Sequence, residues 1–222
     1  MRAQELRGRF SAPRTMYSRE RIECKTEDGK TLVADYYAGG EKGVILLHQR
    51  GHDRSSYAEF ARRLQQEGFS AIAIDFRGHG ESDGDYERFS ELDYQQMLHD
   101  AVAAAKALDS RGKRVAALVG ASIGANTAFR YSSLKNEVAV LLSPGLNYHG
   151  IDISAVTSRA PVLIVVAQGD EYSAASSREL YENNLFGERK LLLVGGDLHG
   201  AYLLPATGDE VLAFLREHTK DQ

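Results

Sequence analysis

Val115-Ala116-Ala117-Leu118-Val119 runs without a break into Gly120-Ala121-Ser122-Ile123-Gly124, and from there into Ala125-Asn126-Thr127-Ala128-Phe129-Arg130-Tyr131. The first run is apolar and of strand length, the last suits a helix, and the stretch between them centres on a serine flanked by glycines. A reversal this abrupt holds its middle residue at a strained, sharp turn. Side chains two positions to either side would collide with the adjoining strand and helix, so glycine is required there. The serine hydroxyl is then presented at a strand end, beside the first backbone N–H groups of a helix. A G-x-S-x-G pattern alone arises by chance in a glycine-rich chain; the strand-turn-helix context is what points to Ser122 as a nucleophile rather than a structural turn.

Apolar runs of the same kind lie on both sides: Val44–Leu47, Ala71–Ile74, Val138–Leu142, Val162–Val166 and Leu191–Val194. Unbroken apolarity predicts strands buried on both faces, as in a parallel sheet covered by helices. Between them, Tyr57, Phe60, Ala61 and Leu64 recur at helical spacing behind a Ser56-x-x-Glu59 capping-box pattern, and Gly68 closes that helix. Tyr94, Leu98, Ala101, Ala105 and Leu108 predict a second helix, and Val211, Leu212 and Leu215 a last one behind Thr207-x-x-Glu210. Ahead of the alternation, Arg21–Thr26 and Thr31–Tyr37 flank Glu27-Asp28-Gly29-Lys30, whose Asp-Gly supplies the positive backbone angles of a hairpin turn. The order predicts an α/β fold with an open, doubly wound sheet, in which ligands bind at the carboxyl ends of the strands.

Serine is a poor nucleophile until a base removes its proton, and a histidine base works best when a carboxylate fixes its tautomer. Val162–Val166 runs into Ala167-Gln168-Gly169-Asp170, which makes Asp170 the expected acid; the plainer reading is a turn or helix-cap aspartate, and Glu171 is the substitute. Leu191–Val194 runs into Gly195-Gly196-Asp197-Leu198-His199, which makes His199 the expected base. Of the seven histidines only His199 and His218 follow Asp170, and His218 falls inside the last helix at a solvated polar position. Asp197 suits a local cap. The tetrahedral intermediate needs two N–H donors: Ile123, after the serine, supplies one, and the loop His48-Gln49-Arg50-Gly51-His52 supplies the other from Arg50, with Gln49 as the alternative. His48, His52 and His79 have no recognisable metal-ligand spacing, so no metal is expected.

With these motifs in place the chain resembles the α/β-hydrolase superfamily from about Ile22 onward, and within it the small serine esterases and dienelactone-hydrolase-like group. Asp75-Phe76-Arg77-Gly78-His79-Gly80-Glu81-Ser82 is similar to the D-x-R-G-H-G-x-S loop that members carry after the fourth strand, where the arginine and histidine are architectural. Asp100 sits where the family has the helix that precedes the nucleophile strand. The resemblance implies a mostly parallel, eight-stranded twisted sheet with an N-terminal antiparallel hairpin, helices on both faces and no cap domain. Only Ser143–Ala160 separates the two strands between which larger relatives insert a cap. His48-Gln49 departs from the usual His-Gly of the oxyanion loop. Serine at the nucleophile position argues against the dehalogenases and epoxide hydrolases, which use aspartate, and against dienelactone hydrolases proper, which use cysteine.

The expected activity is hydrolysis of carboxylic esters or thioesters of small acyl groups through an acyl-enzyme, with no cofactor. The alternatives are a non-catalytic ligand-binding protein on the same fold, a short-peptide hydrolase and a perhydrolase. Leu146, Tyr148 and Tyr172 follow strands at the correct end and are candidates to line the acyl pocket, against simple structural packing. Arg50 and Arg54 are candidates to hold a substrate carboxylate, against the plainer reading of solvated loop arginines.

A net charge of -4 disfavours nucleic acid as a partner. A single cysteine, Cys24, suits a reducing compartment, and neither an apolar leader nor a run of ~20 apolar residues occurs. A cytoplasmic protein acting on a small molecule, without membrane contact, is expected. Residues 1–18 are arginine-rich and aperiodic and read as a basic arm; residues 19–222 read as one domain. Nothing in the sequence sets the oligomeric state.

Overall fold

The computed structural model describes residues 18–219. The basic arm expected over residues 1–18 lies, apart from Ser18, outside them. β1 (Arg19–Lys25) and β2 (Thr31–Tyr37) form the expected antiparallel hairpin. β3 (Lys42–Leu47), β4 (Ser70–Ile74), β5 (Arg114–Ala121) and β6 (Val138–Leu142) follow. A short ribbon, β7 (Asn147–Tyr148) against β8 (Ile151–Asp152), then precedes β9 (Val162–Ala167) and β10 (Arg189–Val194). The main sheet has eight strands in the order β1-β2-β4-β3-β5-β6-β9-β10. β2 pairs antiparallel with β1 and β4, and all the other pairings are parallel.

Alternation along the strands divides the core in two. On β3, Ile45 and Leu47 face α3 (Met97–Asp109) and α4 (Ile123–Lys135), while Val44 and Leu46 face α1 (Ala58–Gln66) and α6 (Leu204–His218). Both sets are fully buried, and each such side chain contributes about 1.5–3 kcal/mol relative to exposure. The chain crosses from β3 to β4 on one side and then to β5 on the other, so the order reverses between β3 and β5. At such a switch point the loops leaving adjacent strands part to opposite faces and open a crevice. Here those loops are the turn after Leu47 and the turn at Ser122.

Several local expectations change. The Ser56–Glu59 box does not start α1: a short 3-10 turn, Arg54–Tyr57, precedes it, capped by Asp53, whose carboxylate accepts the Ser55 N–H at 2.8 Å. α6 begins at Leu204, before the Thr207 box, because Pro205 fits a first helical turn, and the Thr207 hydroxyl donates instead to the Leu203 carbonyl. The second helix is broken at Gln96 into α2 (Glu91–Gln95), capped by a Ser90–Asp93 box, and α3. α5 (Glu171–Asn183) is a further helix that the sequence pattern does not announce. β10 is half-exposed rather than buried on both faces, because it is the last strand of the sheet. Among the described residues, no helix is long and apolar enough to cross a membrane.

Candidate active site

Ser122 joins β5 to α4 with φ 53 and ψ −116, a region that a non-glycine residue enters at a cost on the order of 1–3 kcal/mol. The flanking glycines make that turn possible. A Cβ on Gly120 would stand 2.1 Å from the Gly124 carbonyl oxygen, and one on Gly124 would stand 2.2 Å from that of Leu47. The first contact would push α4 off the end of β5 and the second would push it off β3. The Ser122 N–H donates to the Leu142 carbonyl at 2.9 Å, tying the turn to β6.

Asp170 ends the loop after β9, and His199 lies in the loop after β10. The two loops are laced together by the Gln168 N–H to Val194 and the Gly169 N–H to Gly196. The His199 Nδ1 to Asp170 Oδ2 distance is 2.7 Å. With a carboxylate as acceptor, Nδ1 carries the proton and Nε2 keeps its lone pair. Burial works to raise the Asp170 pKa, but hydrogen bonds from His199, Ser173 and Ser143 outweigh it and hold the carboxyl below its ordinary range. Glu171 is the exposed first residue of α5 and makes no bond to His199. His218 packs on Phe214 near the end of α6, and Asp197 is exposed.

Two links bring the histidine loop to the serine. Ser143, next to the Leu142 that holds Ser122, accepts the Gly200 N–H on its Oγ at 3.0 Å. Tyr148 sits with its ring centre 6.3 Å from that of His199, edge to face. Its hydroxyl bonds Ser173 Oγ at 2.8 Å, and burial pushes its pKa up to about 12, so it stays a neutral donor.

The second donor loop follows β3. His48 is fully buried; the Phe76 N–H donates to its Nε2 at 3.0 Å, so its Nδ1 carries a proton and donates to the Gln49 carbonyl at 2.7 Å. Both ring nitrogens are therefore engaged, and burial drives the pKa down to about 3. The Gln49 carbonyl also accepts the His52 N–H at 3.3 Å. Gln49 C=O and Arg50 N–H share one peptide, which is trans because no peptide bond among the described residues is cis, so they point in opposite directions. The Arg50 N–H consequently faces away from His48 and has no acceptor among the described residues. Ile123 is the first residue of α4, where amides have no intrahelical acceptor.

The other expected residues divide. Tyr172 packs its ring 5.5 Å from that of Tyr148 and clamps Asn147 by donating to its carbonyl at 2.9 Å and accepting its N–H at 3.0 Å. Leu146 is half-buried against the α3/α4 side of the core. Arg54 is consumed by Asp35, Asp75 and Glu81. Arg77 is buried between Asp100 and Asp28. Residues that sequence reasoning missed are Ser143, Ser173 and Asn126, whose Nδ2 donates to the Gly145 and Ile151 carbonyls at 2.8 Å each and so fixes the Tyr148 ribbon. Only Asn126 carried a signal, as an amide side chain near the mostly small start of α4. A cavity of about 360 Å³ opens beside the turn, between α1 and the start of α6; Gln49, His52, Phe60, Tyr202 and Leu204 line it, but Ser122 and His199 do not.

The family model described as Hydrolase_4 (Serine aminopeptidase, S33) matches residues 40–160. The polyketide transferase ATR5 of Stachybotrys chlorohalonatus is 29% identical over 134 residues, 59% of this chain and 45% of that protein. The match thus spans less than half of that relative's length. Among solved structures, the esterase Pf2001 of Pyrococcus furiosus superposes with a TM-score of 0.76 at 22% identity, covering 92% of this chain and 94% of the other. A dienelactone hydrolase from Anabaena variabilis gives a TM-score of 0.76 at 18% identity, covering 91% and 99%. Both likenesses concern the fold, which is the α/β-hydrolase fold expected from the sequence.

Proposed function

Because the chain belongs to the Hydrolase_4 family of α/β hydrolases, we propose that it is a serine hydrolase that cleaves carboxylic esters or thioesters of small acyl groups. The observation that carries this reading is the 2.7 Å bond between His199 Nδ1 and Asp170 Oδ2, made at the same strand ends as a serine held at φ 53. His199 Nε2 takes the Ser122 proton as Oγ attacks the acyl carbon, and Asp170 stabilises the imidazolium that forms. Negative charge gathers on the former carbonyl oxygen, where the amides of Ile123 and Arg50 receive it; one such donor contributes roughly 10²–10³-fold in rate. His199 returns the proton to the departing alkoxide or thiolate. Water, activated by the same imidazole, then releases the acid from Ser122.

The test is mass spectrometry after exposure to a fluorophosphonate together with turnover of a p-nitrophenyl ester. Addition of one phosphonyl group at Ser122 and ester cleavage that Ser122→Ala abolishes are expected. A folded, unlabelled protein with no turnover would favour a ligand-binding role instead. A second reading comes from the name of the ATR5 relative, a polyketide transferase. The same acyl-enzyme can deliver its acyl group to an alcohol or amine rather than water, and His199 is partly open to such an acceptor. Product analysis with methanol as a competing acceptor separates the two.

A further inference from the structure

Arg50 stands in the turn after β3 with its side chain held in place. Its Nε donates to the Tyr94 hydroxyl at 2.7 Å, and that hydroxyl donates onward to the Tyr86 carbonyl at 3.3 Å, so its acceptor site is committed to the arginine. The guanidinium carbon lies 4.9 Å from the centre of the Tyr86 ring, which stacks on His79 at 4.3 Å. Tyr94 is buried and stacks in turn on His149 at 4.8 Å. Arg50 is exposed, yet a ring face and one hydrogen bond hold its guanidinium, so its remaining N–H groups are presented to solvent in a fixed fork.

That fork is uncompensated. Arg54, in the same loop, meets three carboxylates, whereas among the described residues Arg50 meets none, and the N–H groups on its two terminal nitrogens have no acceptor. The titratable rings beside it are histidines, which bring no negative charge: burial and then the Arg50 cation itself hold His149 below the usual imidazole range. Burial likewise depresses His79. The cation lies at the edge of the candidate site. Its own amide is the unpaired one assigned to the oxyanion above, and His149 adjoins Tyr148, whose ring meets His199.

We propose that Arg50 determines specificity by binding a carboxylate on the substrate, so that the favoured substrates are esters or thioesters carrying a second, ionised carboxylate away from the scissile carbonyl. This rests on the ester-hydrolase reading above. Bidentate N–H bonds to a carboxylate are the geometry that a fixed guanidinium matches and a neutral chain end does not. The interaction is made before and during reaction alike, so it lowers KM more than it raises kcat.

The experiment compares isosteric pairs, one charged and one neutral. On the acyl side these are the p-nitrophenyl monoester of glutaric acid and p-nitrophenyl pentanoate; on the alcohol side they are 4-carboxyphenyl butyrate and 4-methylphenyl butyrate. Wild type should prefer the charged member of at least one pair by about tenfold or more in kcat/KM. The preference should sit mainly in KM, shrink in high salt and collapse in Arg50→Gln. Using a ratio cancels any effect of the substitution on the backbone amide. A wild-type preference for the neutral member in both pairs, or a preference that survives in Arg50→Gln, overturns the proposal. Titration calorimetry of Ser122→Ala with glutarate reads the arm independently of turnover, and Arg50→Gln in that background should weaken binding about tenfold or more. Ester cleavage without Arg50-dependent glutarate binding would remove the carboxylate arm and leave the hydrolase. Arg50-dependent binding without cleavage would do the reverse.

Discussion

Gln49 Oε1 accepts the Ala201 N–H at 2.9 Å, so the turn that carries Arg50 is pinned to the loop two residues beyond His199. This accounts for the departure from His-Gly at this position, because glycine could not span the gap. Gln49→Ala keeps every backbone amide but removes this tie between the two loops. A misplacement on the order of 1 Å costs roughly 10²-fold, so kcat for a p-nitrophenyl ester should fall about ten- to a hundredfold. Stability should drop only by about 1–2 kcal/mol for one unpaired amide. Steady-state kinetics beside urea unfolding check both; unchanged kcat would show that the pin is not needed for turnover.

The buried imidazole of His48 sets an acid limit on stability. Its pKa is about 3 in the folded chain and roughly 6.5 when unfolded. Between those values the unfolded chain binds a proton that the native chain refuses, so stability rises with pH across this window and is lost as pH falls from about 6.5 to 3. The loss is on the order of 4 kcal/mol. Urea unfolding at pH 7 and pH 4 should show a smaller difference between the two conditions in His48→Gln than in wild type. An equal difference would assign the acid lability to other groups.

Arg77 is 2% exposed and lies between Asp100, whose pKa burial raises to about 6, and Asp28. Removing it leaves a buried carboxylate without its cation, so Arg77→Met should cost about 3–5 kcal/mol by urea unfolding at pH 7. Asp100 pulls the pH dependence of that loss in a defined direction. Burial raises its folded pKa against the lowering by Arg77; without the arginine that pKa rises further, so the native variant binds the proton more tightly than wild type does and the cost of the substitution shrinks as pH falls from about 7 toward 4. A cost that is flat with pH would contradict a charged Asp100 in the variant.

How much was readable beforehand follows from the range of the interactions. The turn at Ser122 was legible because its glycines answer a local clash, with Gly124 and Leu47, that leaves a fixed spacing. His199 and Asp170, which the fold brings to 2.7 Å from each other, were legible as a pair from their position after strands, and the apolar runs placed those strands. Helix starts were misplaced where Asp53 and Pro205 outcompeted the Ser56 and Thr207 patterns. α5 carries few apolar side chains in a clear stripe and escaped notice. Ser143, Ser173 and Gln49 act through hydrogen bonds to partners distant in sequence, and no local pattern records such bonds; Asn126 acts in the same way but stands out in its helix.

Between β6 and β9 the chain has only the ribbon 147–152, which offers little apolar surface to close over an acyl chain. An enclosed pocket would reward each added methylene by about 0.8 kcal/mol, roughly fourfold in kcat/KM. Across p-nitrophenyl esters of graded length, the gain should therefore stop at short acyl groups, about two to six carbons, with no jump at micelle formation. A rise continuing to about twelve carbons would mean that the cavity beside Gln49, or a closure of the Tyr148 ribbon, receives the chain.

Ester turnover by Ser122→Ala, measured beside its circular dichroism and next to Asp170→Asn, tests the central claim most directly. Asp170→Asn should retain the fold and lose about two to four orders of magnitude in kcat, since His199 keeps its place with the wrong tautomer. Ser122→Ala should keep the wild-type spectrum and lose more, about four to six orders of magnitude. A folded Ser122→Ala protein that still turns over ester at near the wild-type rate would contradict the account.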